Sequence, residues 1–232
     1  MEGYTPRKFQ LDIFPVHYNL ATQKEIDSLI YAKENYLRYL FRTVFHKQRS
    51  FTKAYIKEPC FTYCKDIKNI SFPVYLDGYW QSEKYFSDYR QQILQDFTFP
   101  PLPADSCHLA RKILATPDAV SLHVRRGDYI KYNIALPKQY YYRAIEKIDS
   151  MIKKPTFLIF ADDVGWAKKI FADSEEIYFI SDYGKYHDYE ELILMSKCEH
   201  NIIANSSFSW WGAWLNTNED KIVVAPDRWP FT

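Results

Sequence analysis

The chain has 232 residues, enough for one large domain or two modest ones with a real core. Its 30 Lys and Arg balance 29 Asp and Glu, a formal net charge of +1, which speaks against a nucleic-acid binder working through bulk charge. Any anion site must be built locally, from a few placed arginines and backbone N–H groups.

The start of the chain carries no apolar signal core, and no run approaches the length of a membrane span. The chain therefore reads as soluble and cytoplasmic, with a peripheral membrane association left open. Cys60, Cys64, Cys107 and Cys198 lack a metal-binding spacing and read as reduced thiols. Aromatic residues make up 18% of the chain, which reads as an aromatic core with scope for sugar or base stacking.

The first half reads as helices and loops. Thr22 and Glu25 stand at capping-box spacing. From Ile26 to Phe41 an apolar stripe follows helical period. Residues 71–75 are a strand candidate and 82–97 a second helix. Pro100, Pro101 and Pro103 then mark a boundary, because helix cannot continue through them. Residues 1–104 are thus expected as one domain and 105–232 as another.

The second half alternates regularly. Strands are expected at 119–124, 156–161, 176–180, 201–204 and 222–225, with helices opened by Pro137 and running over 164–171, 189–198 and a Trp-rich stretch after Ser209. That alternation predicts an α/β domain with a parallel, doubly wound sheet.

Ligands of such sheets bind beyond the carboxyl ends of the strands. There the sequence places Arg125, Arg126 and Asp128, then Asp162 and Asp163, then Ser181 and Asp182, then Asn205, Ser206, Ser207 and Ser209. The arginines offer a donor fork for phosphate, or else they pair with Asp128. His123 is a core histidine or a ligand contact. The serines can cap the following helix, whose free N–H groups also suit an anion. Trp210, Trp211 and Trp214 read as core. Asp163 is placed to cap the helix after it, while Asp162 can face a ligand. Their order is not Asp-x-Asp, and no metal site is expected.

Four stretches carry a family resemblance. They are Asp77-Gly-Tyr-Trp-Gln81, His123-Val-Arg-Arg-Gly-Asp-Tyr129, Phe160-Ala-Asp-Asp163 with Trp166, and His200-Asn-Ile-Ile-Ala-Asn-Ser-Ser-Phe-Ser-Trp-Trp-Gly-Ala-Trp-Leu215. In this order they resemble the bacterial α-1,2-fucosyltransferase family. The resemblance implies a GT-B-like fold with a Rossmann-like donor domain, GDP-β-L-fucose as donor, inversion at the anomeric carbon and no cofactor or metal. It implies a galactose-containing glycan as acceptor. Carried over by position, Arg126 contacts the β-phosphate with Arg125 close by, His123 lies near the guanosine, Glu191 reads the guanine N–H groups, and Ser206 and Ser207 lie near the diphosphate. Asp128 is a candidate general base. The family's opening Gly-Gly-Leu-Gly-Asn-Gln-like turn has no counterpart here, so an incomplete N-terminal domain is expected. That expectation keeps two alternatives open: an inactive GDP-sugar-binding module, and a transferase using another nucleotide sugar.

Overall fold

The computed structural model describes residues 9, 11–31, 35–45, 52–70, 72–171, 177–182 and 186–229. The chain divides into two compact units, residues 1–98 with 232, and residues 99–231.

In the first unit, α1 (Gln23–Ile30) starts where the sequence places its cap. The Thr22 backbone N–H donates to Glu25 Oε2 at 2.7 Å, and the Glu25 N–H donates back to Thr22 Oγ1 at 3.3 Å. The apolar stripe is not one helix. Thr52 donates its N–H to the Ile30 carbonyl at 3.0 Å and its hydroxyl to the Leu29 carbonyl, taking the acceptors that a further turn would use. Tyr31 turns extended, and α2 (Tyr36–Val44) follows as a separate helix. The strands β1 (Tyr55–Lys57) and β2 (Tyr75–Asp77) form a short parallel pair, and β1 was not expected from sequence. The strand candidate at 71–75 is thus displaced to 75–77, and Ser71 lies outside the described residues. The helix expected over 82–97 is two 3-10 turns followed by α3 (Arg90–Asp96), because Phe86 sits at φ −137°, ψ 8°, outside helical space. Among the described residues of this unit only Phe14 is buried, against Phe97.

The second unit contains α4 (Ala104–Leu114), β3 (Ala119–Val124), α5 (Gly127–Lys131), α6 (Lys138–Asp149), β4 (Thr156–Ala161), α7 (Val164–Phe171), β5 (Ile177–Phe179), α8 (Asp188–Lys197), β6 (His200–Ile202), α9 (Ser207–Leu215) and β7 (Val223–Val224). The five strands form one parallel sheet in the order β5-β4-β3-β6-β7. The expected alternation holds, with strand ends displaced by a residue or two; Glu176 lies outside the described residues.

Both sheet faces are covered, as a parallel sheet requires. Val120, Leu122, Val124, Phe157 and Ile159 pack with Tyr141, Ala144 and Ile148 of α6 and Ala167 and Phe171 of α7. The alternate residues Ala119, Leu158 and Phe160 pack with Ala110 and Ile113 of α4 and Leu194 and Met195 of α8. Beneath α9, Asn216 donates to Asn201 Oδ1 at 2.9 Å and Asn201 donates to Ser121 Oγ at 2.7 Å, so these buried amides are paired. Trp214 joins the core as expected, whereas Trp210 and Trp211 are only partly buried.

Candidate functional site at the sheet switch point

From β3 the chain moves outward to β4 and β5, then crosses back to place β6 on the other side of β3. Strand order reverses between β3 and β6, and a ligand crevice opens beyond the carboxyl ends of strands at such a point. Here β3 delivers Arg125 and Arg126, and β6 delivers Asn205 and Ser206.

The arginine turn is held by Asp162 at the end of β4. Its Oδ1 accepts the Arg126 N–H at 2.8 Å and its Oδ2 accepts the Gly127 N–H at 3.1 Å. The same Oδ2 lies 3.1 Å from Arg125 Nη1. A Cβ on Gly127 would stand 2.9 Å from that oxygen, so a larger residue there would have to displace it. Asp162 therefore spends its carboxylate on the turn and acts as a positioning residue, where sequence reading had it facing ligand. Arg125 also donates to Asp128 Oδ1 at 2.6 Å.

Arg126 is oriented from the other side. Asp163 caps α7, as expected, by accepting the Trp166 N–H at 3.0 Å. Its second oxygen takes Arg126 Nε at 3.3 Å, and the guanidinium lies over the Trp166 ring, 4.0 Å from its centroid. The Arg126 side chain is 19% exposed. Its two Nη atoms donate to no acceptor among the described residues. The fork is thus fixed at its stem and open at its tip, the geometry a phosphate requires.

At the β6–α9 turn, Ser206 occupies the N-cap of α9 but its hydroxyl makes no capping bond. The helix start keeps the partial positive charge that favours an anion. Ser207 is exposed there. Two neighbours expected at the ligand edge serve the turn instead. Ser209 is buried, accepts the Ala204 N–H at 3.2 Å and donates to the Ser206 carbonyl at 3.3 Å. Asn205 donates to the Ile134 carbonyl at 2.8 Å and accepts Tyr129 OH on its own carbonyl at 3.3 Å, while its buried Oδ1 has no partner among the described residues. These bonds stitch the α5 segment to the α9 turn.

His123 is buried on the α4/α8 face, 5.6 Å from the Phe208 ring. Burial, with the Arg125 charge adding, pushes its pKa down to about 3, so the imidazole is neutral. Its Nδ1 has no partner among the described residues. It is therefore a core histidine by burial but not a satisfied one. Glu191, on α8, comes to the same edge: it hydrogen-bonds the Ser181 side chain, whose Oγ also accepts the Ala161 N–H at 3.0 Å. Burial holds its carboxyl above the usual range, and the charges of Asp188 and Asp162 add to this. The adjacent Glu190 is structural, accepting Ser106 Oγ and the His187 N–H at 2.7 Å each. The side chain of Asp182 lies outside the described residues.

Sequence spacing gave no metal cluster, yet the fold gathers Asp118, Glu199 and His200 with ligand atoms within 4.8 Å of one another. They sit at the amino ends of β3 and β6, away from the arginines. His200 Nδ1 accepts the Ile222 N–H at 3.0 Å, which leaves the imidazole proton on Nε2. Neither nitrogen is then free to ligate. Sequence reasoning gave no role to Trp166 or Tyr129; an aromatic three residues after each cap or arginine was the available signal. No helix among the described residues is long and apolar enough to cross a membrane.

The profile described as Glycosyl transferase family 11 matches residues 14–231. An Escherichia coli protein named O-antigen biosynthesis glycosyltransferase WbnK is 36% identical over 97% of this chain and 80% of its own length. An Escherichia coli alpha-1,2-colitosyltransferase is 36% identical over 66% of this chain and 54% of itself. The galactoside 2-alpha-L-fucosyltransferase Sec1 of Mus musculus is 24% identical over 64% of this chain and 43% of itself. The resemblance read from the four motifs is thereby borne out at the level of family, and the chain belongs to glycosyl transferase family 11.

Proposed function

We propose that this glycosyltransferase moves L-fucose from GDP-β-L-fucose to a galactoside hydroxyl, with inversion to an α-1,2 linkage, in the synthesis of a surface glycan. The observation that carries the reading is Arg126. Its stem is fixed by Asp163 and Trp166, and its Nη atoms are open at the switch point beside the uncapped start of α9. The unit formed by residues 99–231 is then the donor domain of a GT-B-like enzyme.

Departure of GDP from an oxocarbenium-like state builds negative charge on the β-phosphate. Arg126, Arg125 and the α9 N–H groups are pre-organised to stabilise it, and one such donor commonly contributes about 3–4 kcal/mol to the barrier. Glu191 accepts the guanine N–H groups. An unmet buried polar atom costs about 1–3 kcal/mol, a cost that a nucleoside hydroxyl or ring atom removes by pairing with His123 Nδ1. Asp128 remains the carboxylate assigned as general base, and its bond to Arg125 also orients that arginine. The donor chemistry asks for no metal or cofactor.

The colitosyltransferase relative favours a second reading in which the transferred sugar is colitose. One experiment separates these. The chain is incubated with GDP-fucose or GDP-colitose and a β-galactoside, and product linkage is read by NMR. An α-1,2-fucosylated product supports the proposal. Preferential colitosyl transfer, or GDP-sugar binding with no transfer to any β-galactoside, overturns it.

A further inference from the structure

The pairing of β3 with β6 stops short of the crevice. It runs from Val120 with His200 to Leu122 with Ile202. Arg126 lies four residues past that end on one side, and Ser206 four residues past it on the other. The strand ladder therefore does not fix the gap between the arginine turn and the start of α9.

The segment after the arginines spans that gap. The Arg126 carbonyl accepts the Ile130 N–H at 2.8 Å, and the Tyr129 carbonyl accepts the Ile134 N–H at 3.0 Å. Asn133 takes φ 54°, a left-handed conformation that asparagine adopts more readily than most residues, and the chain turns there. Tyr129 and Ile134 then both reach Asn205, the residue before the N-cap Ser206. Tyr129 donates its hydroxyl to the Asn205 carbonyl at 3.3 Å, and the Ile134 carbonyl accepts Asn205 Nδ2 at 2.8 Å. The partly buried Tyr129 ring also lies under the Arg125 guanidinium, 5.4 Å from ring centroid to carbon. One side chain thus touches both walls of the crevice, with its ring on the arginine wall and its hydroxyl on the α9 wall.

We propose that Tyr129 is a positioning residue that sets the span between the arginines and the α9 N–H groups, and that this span selects a diphosphate over a single phosphate. The role rests on the GDP-sugar reading above. Only a ligand that reaches both walls gains from a fixed span; a ligand held by one wall does not.

The test is calorimetry of the full chain with GDP, GMP and pyrophosphate, on wild type and Tyr129→Phe. That variant keeps the ring under Arg125 and loses only the hydroxyl. Its affinity for GDP and for pyrophosphate should fall about three- to fivefold, the worth of one neutral hydrogen bond, while GMP affinity holds. Its melting temperature should stay within about 3 °C of wild type. Tyr129→Leu also removes the ring and should lose about threefold more on both diphosphates. An unchanged GDP affinity in Tyr129→Phe overturns the proposal and leaves the transfer reading standing. An equal loss for all three ligands also overturns it, because the tyrosine would then support the fold and not the span. A wild-type chain that binds neither GDP nor pyrophosphate overturns the transfer reading, and the role of Tyr129 with it.

Discussion

Arg126→Ala removes one guanidinium and asks whether it serves the ligand or the fold. Two of its contacts belong to the fold: the 3.3 Å pair with Asp163 and the stack on Trp166. A partly exposed ion pair contributes at most about 1 kcal/mol, and a cation over an aromatic face about 0.5–1 kcal/mol. The empty variant should therefore lose about 1–1.5 kcal/mol, about 3–5 °C in melting temperature for a chain of this size. Removing the open fork from a bound diphosphate should cost about 3 kcal/mol, or about 150-fold in Kd. At GDP one hundred times the wild-type Kd, ligand stabilises wild type by about 2.7 kcal/mol and the variant by about 0.3 kcal/mol. The GDP-induced shift should fall from about 8 °C to about 1 °C. Arg126→Lys should recover little, because it keeps charge but loses the planar fork. Melting each variant with and without GDP measures both quantities. An Arg126→Ala protein that melts early yet keeps its GDP shift would refute the assignment.

Asp162→Asn keeps the shape of the clamp but takes away one acceptor and the charge facing Arg125, so it should cost about 1–2 kcal/mol of stability and weaken GDP binding together; unchanged GDP affinity in calorimetry would show that the turn does not position the arginines. EDTA should leave GDP affinity and transfer intact, and a loss restored by magnesium or manganese would make the adjacent Asp162 and Asp163 metal ligands. Glu191→Gln should reduce the preference for GDP over UDP, read by competition, since Gln presents one acceptor where the carboxylate presents two.

The parallel sheet was legible because short strand candidates alternate with helical stretches at regular spacing, as where the apolar run 157–161 is followed by the helix at 164–171. Arg126 was legible because it follows such a strand. What the sequence could not show is where a carboxylate goes when the chain returns. Asp162 and Asp163 are adjacent, yet one clamps a backbone turn and the other orients a side chain, a division set by the pairing of β3 with β4. The stack on Trp166 was equally hidden, and it turns Arg126 from a solvent-facing residue, worth about 0.5 kcal/mol on deletion, into a partly structural one. In the first unit, local pattern misled twice. Thr52 ends α1 through carbonyls some twenty residues earlier in the chain, and Phe86 breaks a helix that propensity alone would continue.

Glu191 links this site to pH, and the sign can be worked out. Burial raises its folded-state pKa, Asp188 and Asp162 add to the rise, and the Ser181 hydrogen bond opposes it. The folded state then holds the proton more tightly than the unfolded chain. Stability from this residue is fully present below the ordinary carboxylate value of about 4.3 and is lost as pH rises through the raised value. Ionised Glu191 is thus a cost in the empty site, and Glu191→Gln removes it. Without ligand, the variant should melt higher than wild type at alkaline pH, and the gap should close as pH falls toward the ordinary carboxylate value. GDP should reverse the order. Guanine N–H donors favour the ionised carboxylate, so wild-type GDP affinity should climb with pH through the raised value while the variant stays flat. Both are measured by melting and calorimetry across one pH series. A stability gap that ignores pH, or the same climb in affinity in Glu191→Gln, would remove Glu191 from the guanine site.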